Sequence, residues 1–313
     1  SRVEGYRNFA TKLWNAARFC QMNSCALPGG FDPGAVRAGV NRWILGELDG
    51  AVAALDSALE GFRFNDAAAA AYQFAWGTFC DWYLEFAKPV LSGADEDAKA
   101  ETRATAAFVL RGLLQMLHPM MPFVTEELWD KLGYGADGML MLSSWPRPGA
   151  VPRDPRAKEE LDWVVAAITE LRVLRAEMNV PAAARLTVAV RDATEQAAEI
   201  LHRHLGSMTT LARLERVAFD APPSPGSAQI VLPGATLSVA LAGVIDAAAE
   251  IARLGKEIER QRVAIDKIDR KLANADFLAK ADPVVVDEQR ERRAESAAAL
   301  GRLEAAVERL RAL

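Results

Sequence analysis

The stretch GYRNFATKLWNAARFC, Gly5–Cys20, decides how the N-terminal part of the chain folds. Its apolar residues recur at steps of three and four, which predicts one amphipathic helix. The predicted buried stripe consists of Tyr6, Phe9, Leu13, Ala16, Ala17 and Cys20. A second stripe on a different face consists of Asn8, Lys12, Asn15 and Phe19, with Arg18 beside it. The helix therefore presents two faces of different chemistry.

The second stripe combines amide, ammonium, guanidinium and aromatic groups on an otherwise polar face. Such groups suit single-stranded nucleic acid, because donors and acceptors meet base edges, cations meet phosphate and a ring offers a stacking surface. The same pattern is also typical of a solvated helix face that carries one exposed phenylalanine. The pattern alone leaves both interpretations open.

The rest of residues 1–147 reads as further helices, and the short connections favour an antiparallel bundle. Helices are expected at about 34–61, 65–88, 98–117 and 125–133, with Asn65 as an N-cap and Pro89 as a helix end. The aromatic side chains between 74 and 86 are expected in the bundle core rather than on a base-binding surface. They are Phe74, Trp76, Phe79, Trp82, Tyr83 and Phe86.

Residues 148–245 are predicted to form a proline-containing linker, a helix at about 156–178 and a small α+β module. The module has four segments that alternate in period two, around a helix at 194–205. Residues 246–313 return to a heptad period and predict an antiparallel coiled-coil hairpin with its tip near Phe277. The predicted fold class is therefore mainly α, in three parts: 1–147, 148–245 and 246–313.

The hairpin also carries a predicted surface pattern. Five basic residues lie outside the apolar seam, at steps of three, four, seven and three, on the side away from the partner helix. They are Arg253, Lys256, Arg260, Lys267 and Arg270. A solvated coiled-coil face would look partly similar, so the pattern indicates a basic surface without naming its ligand.

Composition limits the possible functions. The chain has 37 Lys and Arg against 42 Asp and Glu, a net charge of −5, so any nucleic-acid binding must rest on local patches. Three cysteines without CxxC spacing indicate neither a disulfide framework nor a zinc site. There is no membrane-spanning apolar run, and the opening Ser-Arg-Val-Glu looks like a piece of a longer polypeptide. A reducing cytoplasm is the expected compartment.

No catalytic site can be assembled from the residues. The three histidines, His118, His202 and His204, lack a suitably spaced acid or nucleophile, and there is no glycine-rich phosphate loop. His118 is expected to make a structural hydrogen bond. Arg172 and Arg175 are expected either to pair with Glu170 and Glu177 or to brace a neighbouring element.

Several motifs, in order, resemble the C-terminal part of bacterial valyl-tRNA synthetases, which are class I enzymes. The resemblance spans almost all 313 residues. HPMMPFVTEELW is shared with the isoleucine and leucine enzymes, whereas KLWNAARF, FCDWYLE and the terminal hairpin point to valine. The segments are KLWNAARF (12–19), RWIL (42–45), FNDAA (64–68), FCDWYLEFAKP (79–89), HPMMPFVTEELW (118–129), SWP (144–146) and LRVLRAEMNVP (171–181).

The resemblance implies that residues 1–147 bind the anticodon of tRNA(Val) and that the hairpin braces the outer corner of the tRNA. The implied anticodon residues are Lys12, Asn15, Arg18 and Phe19, with Asn8 on the same stripe. In the hairpin, the five basic residues would follow the tRNA backbone, with Phe277 and Lys280 at the tip. Arg172 and Arg175 would brace the bundle or the anticodon stem.

The resemblance also implies what this chain lacks. The HIGH and KMSKS signatures that hold ATP in class I synthetases do not occur in it. ATP, magnesium and the catalytic and editing domains would belong to another part of a monomeric ligase, and no cofactor or metal is expected in residues 1–313. Two alternatives stay open: the same region of an isoleucine or leucine enzyme, and a helical coiled-coil scaffold without an RNA role.

Overall fold

The structure is a computed structural model that describes residues 2–219, 221–222, 226–245, 247–274 and 283–311. It divides into two compact units, Ser1–Val165 and Ala166–Leu313. Within the described residues, no helix has the length and apolar character that crossing a membrane requires.

The first unit is the predicted helical bundle. Its helices are α1 (Arg2–Met22), α2 (Gly39–Glu60), α3 (Phe64–Gln73), α4 (Leu84–Ser92), α5 (Glu96–Leu117) and α6 (Pro122–Lys131). Helix α5 is the central element, because small residues such as Ala106, Ala107 and Thr105 let its neighbours approach on several sides and are fully buried. Short 3₁₀ turns at Pro33–Ala35, Tyr134–Asp137 and Leu140–Leu142 interrupt the connecting loops.

A π-helical segment, Phe74–Tyr83, joins α3 to α4 without a break in the helical backbone. Its buried end is held by Tyr83, whose hydroxyl donates to Asn41 Oδ1 of α2 at 2.9 Å. Asn41 in turn donates to Thr102 Oγ1 of α5 at 3.1 Å. This network pins the wider π-helical turn to two neighbouring helices, and such segments frequently accompany functional sites.

Two expected boundaries in this region are wrong. Helix α3 begins at Phe64, after Arg63, so Asn65 is inside the helix and is not its N-cap. Pro89 lies inside α4, which continues to Ser92. A proline removes one backbone hydrogen bond, but Leu91 beyond it is buried with Phe86 and Ala87. The packing of this apolar face therefore outweighs the local cost.

The C-terminus of α1 is closed by a Schellman motif. The N–H of Cys25 donates to the carbonyl of Cys20 at 2.8 Å, and the N–H of Ser24 donates to that of Gln21 at 3.0 Å. Ser24 adopts the required left-handed conformation, with φ 55°. Cys20 and Cys25 are free, buried thiols and supply the apolar pair that accompanies this motif. The helix end beside Phe19 is thereby fixed.

The α+β module has the predicted composition. Its strands are β1 (Leu186–Arg191), β2 (Leu214–Phe219), β3 (Ser227–Leu232) and β4 (Ala235–Ala240), in the order β2-β1-β4-β3. Strands β1 and β2 are parallel, because α8 (Glu195–Leu211) crosses between them, and the other pairings are antiparallel. Thr194 caps α8 through Ala197 N–H at 3.2 Å. The preceding helix, α7, spans Pro155–Glu177.

The coiled-coil hairpin is confirmed by α9 (Ala247–Leu272) and α10 (Pro283–Arg311), which pack along each other. Leu254, Val286, Val307 and Leu310 of the predicted seam are buried. Two interhelical ion pairs flank the seam, from Arg262 to Glu304 at 2.7 Å and from Arg293 to Asp269 at 2.5 Å. The expected tip at Phe277 lies outside the described residues.

Candidate nucleic-acid interface

A groove of about 560 Å³ runs between α1 and the π-helical segment with α4. Four of the five predicted anticodon residues line its first wall: Asn8, Lys12, Asn15 and Phe19. The opposite wall consists of Trp76, Cys80, Leu84, Glu85 and Lys88. The second stripe of α1 is therefore the wall of a concave surface.

The two faces of α1 are confirmed. Phe9, Leu13 and Cys20 of the apolar stripe are buried, whereas the side chain of Tyr6 lies outside the described residues. On the other face Asn8 and Asn15 are exposed and Phe19 is half-buried. Asn23 Nδ2 donates to the Phe19 carbonyl at 2.9 Å, which further holds this helix end. Arg18 is exposed and does not line the groove.

Lys12 is held by two groups that sequence analysis did not connect to it. Its ammonium forms an ion pair with the carboxylate of Asp81, in the π-helical segment. The same nitrogen lies 4.4 Å from the centroid of the Trp76 ring, a cation–π contact. The Lys12 side chain retains 28% of its exposure. It is therefore a positioned cation at the groove rather than a free one.

The expectation that the aromatic run belongs to the core rather than to a base-binding surface is contradicted by one residue, Trp76. Phe74, Phe79, Tyr83 and Phe86 are buried. Trp76 and Trp82 are half-buried, and Trp76 lines the groove. Trp76 also packs near Phe9 and Tyr72, with ring centroids 6.3 and 5.8 Å away. An aromatic surface in the groove was therefore missed, because helical periodicity does not indicate which edge of a core stripe meets solvent.

The groove is close to electrically neutral. Lys12 is compensated by Asp81, and Lys88 pairs with Glu85 at 2.5 Å. Burial raises the pKa of the Cys80 thiol to about 12, so this groove residue stays a neutral thiol. Neutrality, amide groups and rings favour recognition of bases over attraction of phosphate.

Two further side chains identified from the sequence have structural contacts. His118 Nδ1 lies 2.9 Å from Thr125 Oγ1, which confirms the expected structural hydrogen bond. Arg175 donates to the carbonyls of Pro181 at 3.1 Å and Ala184 at 2.9 Å. It therefore braces the loop between α7 and β1.

Among the described residues, no group of three or more His, Cys, Asp or Glu side chains has a metal-binding arrangement.

The five basic residues predicted on the hairpin are all exposed. Arg260 pairs with Glu257 at 3.1 Å and Arg270 with Asp266 at 2.6 Å, so acidic groups lie next to the basic stripe. Exposed pairs of this kind contribute about 0–1 kcal/mol and exchange readily for other partners. Within the described part of the chain, Lys256 and Lys267 have no acidic group at ion-pair distance. Phe277 and Lys280 lie outside the described residues.

Two protein-family models match segments of this chain. Residues 41–190 match the family model described as the anticodon-binding domain of tRNA ligase. Residues 246–311 match the model described as the valyl tRNA synthetase tRNA binding arm. Over these segments the chain is similar to the valyl-tRNA synthetases. The arm model and the relatives favour valine over the isoleucine and leucine alternatives.

Helix α1 lies before residue 41, where the first family match begins. Its similarity to known proteins therefore comes from relatives that align over nearly the whole chain. The valine–tRNA ligase of Caulobacter vibrioides is 50% identical over 313 residues, covering 99% of this chain and 34% of that protein. The corresponding enzyme of Brucella suis is 45% identical over 314 residues, with the same coverage. That of Bradyrhizobium diazoefficiens is 41% identical over 344 residues. The chain thus spans about a third of the length of these relatives.

Proposed function

We propose that this chain is the tRNA-binding part of a valine–tRNA ligase, which attaches valine to tRNA(Val) with ATP. The observation that carries the proposal is the groove, because four residues from Asn8 to Phe19 converge on one concave surface. The similarity to three valine–tRNA ligases over nearly the whole chain supports it. The proposed partner is tRNA(Val), and the proposed compartment is the cytoplasm.

In this proposal the groove reads the middle adenine and third-position cytosine of the valine anticodon. Phe19 stacks on a base, a contact that contributes about 1–3 kcal/mol. Asn15 and Lys12 hydrogen-bond to base edges or phosphate, and Asn8 extends the same wall. Arg18 lies outside the groove lining, so its proposed contact is with the backbone of the anticodon loop.

The hairpin supplies sequence-independent affinity. Arg253, Lys256, Arg260, Lys267 and Arg270 follow the tRNA backbone near its elbow, and Phe277 and Lys280 contact the tRNA at the tip. Phosphate contacts position a nucleic acid without reading its sequence. The proposed division is 1–147 for the anticodon, 148–245 as the junction and 246–313 as the arm.

The chemistry belongs to other domains of the proposed ligase. ATP and magnesium serve the catalytic domain, an editing domain removes mischarged threonine, and this part requires no cofactor. A hydrophobic pocket separates valine from threonine only about 100-fold, so a second sieve is physically necessary. The role of residues 1–313 is to orient the tRNA within a monomeric enzyme, so that its 3′ end meets the activated valine.

The test compares variants in the full-length ligase. Lys12→Ala and Phe19→Ala are expected to lower the rate of tRNA(Val) charging at least tenfold, with valine-dependent ATP–pyrophosphate exchange unchanged. Trp14→Ala is the matched control, because Trp14 is an exposed aromatic residue of α1 outside the groove lining. Equal charging by wild type, Lys12→Ala and Phe19→Ala would overturn the anticodon assignment.

A further inference from the structure

The position of the Lys12 ammonium is determined by residues outside its own helix. Asp81, 69 positions later in the sequence, forms an ion pair with it. The Trp76 ring lies 4.4 Å from the same nitrogen. Asp81 is not part of the groove lining, whereas Lys12 and Trp76 are. Asp81 therefore acts on the groove through Lys12.

This arrangement changes what Lys12 can do. A lysine on a flexible stem is a mobile point charge that suits phosphate of any sequence. Here the charge is compensated by Asp81 and the ammonium is confined against a ring. An ammonium has three donors, so one used by Asp81 leaves others for a base acceptor. The result is a donor with a fixed position and little net charge.

The neighbouring pair points to the same conclusion. Lys88, the other cation that lines the groove, is paired with Glu85. The remaining polar groups of the first wall are the amides of Asn8 and Asn15 and the hydroxyl of Thr11. Both lysines in the lining thus have a carboxylate partner, and the groove attracts phosphate only weakly.

We propose that Asp81 is a specificity-determining positioning residue, which makes Lys12 a fixed hydrogen-bond donor to an anticodon base and prevents it from acting as a phosphate contact. The proposal rests on the proposed function, since it requires that the groove receives the anticodon. It adds Asp81 and Trp76 to the recognition surface. It also predicts that removing one acidic charge increases binding of the wrong RNA.

The experiment measures dissociation constants of the 313-residue chain for two RNAs over a range of salt concentrations. One RNA is a tRNA(Val) transcript, and the other is the same transcript with guanine and uracil at the last two anticodon positions. Asp81→Asn is expected to tighten binding of the altered RNA about threefold at low salt and to reduce discrimination about tenfold. The slope of the logarithm of its binding constant against the logarithm of the salt concentration is expected to steepen by about 0.7–0.9, the value of one additional phosphate contact.

Two further variants keep the test decisive. Lys12→Gln is expected to weaken tRNA(Val) binding about tenfold with an unchanged salt slope. Glu127→Gln is the matched control for added charge, because Glu127 pairs with Lys131 on α6, outside the groove lining. It should change neither discrimination nor slope. Circular dichroism verifies that Asp81→Asn is folded.

The outcomes separate this inference from the proposed function. If the wild-type chain binds neither RNA, or does not discriminate between them, the proposed anticodon role fails. If the wild type discriminates and Asp81→Asn weakens both RNAs equally with an unchanged slope, Asp81 is only structural and the inference is overturned. A slope that falls by about one unit in Lys12→Gln would also overturn it, since Lys12 would then contact phosphate.

Discussion

Asp49 and Arg153 are 104 positions apart in the sequence, and Arg153 Nε donates to Asp49 Oδ2 at 2.6 Å. Asp49 lies on α2 and is only 2% exposed. Its other oxygen accepts from the N–H of Gly149, also at 2.6 Å. The proline-containing segment expected as a linker is therefore fastened to the helical bundle, and the buried carboxylate is satisfied from both sides.

This relationship predicts that loss of the Arg153 pair destabilises the protein more than loss of an exposed ion pair does. Arg153→Ala leaves Asp49 buried with its charge uncompensated, and we expect the free energy of unfolding to fall by about 2–4 kcal/mol. Lys158→Ala is the control, because it removes more exposed pairs with Glu47 and Asp162, which contribute about 0–1 kcal/mol each. Urea denaturation at pH 7 measures both values. Equal losses would contradict a special role for the buried carboxylate.

Arg175 provides a second prediction. Because its guanidinium satisfies the carbonyls of Pro181 and Ala184, Arg175→Gln should lower the free energy of unfolding by about 1–3 kcal/mol. Arg172→Gln should cost less, since Arg172 is exposed and its bond to the Leu211 carbonyl is 3.2 Å long. Thermal unfolding of each variant tests this order. A double variant with the wild-type melting temperature and tRNA affinity would exclude bracing of both the loop and the tRNA.

Cys80 predicts a pH dependence. Its folded pKa is raised by burial to about 12, above about 8.5 in an unfolded chain. The stabilising contribution of the protonated thiol is therefore complete below pH about 8.5 and is lost as pH rises toward 12. Wild type should lose stability relative to Cys80→Ala across this window, by at most about 1.4 kcal/mol per pH unit. Denaturation curves at pH 7.5 and 10.5, roughly on either side of the unfolded-chain pKa of about 8.5, give the difference. A constant difference would contradict the raised pKa.

The hairpin lysines predict a salt effect. Lys256→Gln with Lys267→Gln should weaken binding of every tRNA and lower the logarithmic salt slope by about 1–2. Arg302→Gln is the control, because Arg302 is an exposed cation of α10 outside the predicted stripe. Deleting residues 246–313 should raise the KM for tRNA several-fold, with adenylate formation unchanged. An unaltered slope in the double variant would mean that the stripe contributes no phosphate contacts.

Much of the fold follows from local pattern. The period of α1 separates Leu13 from Lys12, and the heptads of α9 and α10 place Leu254 and Val307 in the seam, as the structure confirms. Pro89 shows the limit of such arguments. A proline inside a helix costs a few kcal/mol, but the burial of Leu91 offsets this cost. That burial depends on the helices packed around it.

The sequence by itself determined which face of α1 is polar and aromatic, because side-chain direction along a helix follows from its period. Only the tertiary structure decided that this face is one wall of a groove. Trp76, Cys80 and Glu85 line the other wall, and Asp81, which is outside the lining, forms an ion pair with Lys12. Periodicity describes one helix at a time, whereas the groove and its charge arise from two segments that only the packing of the bundle brings together.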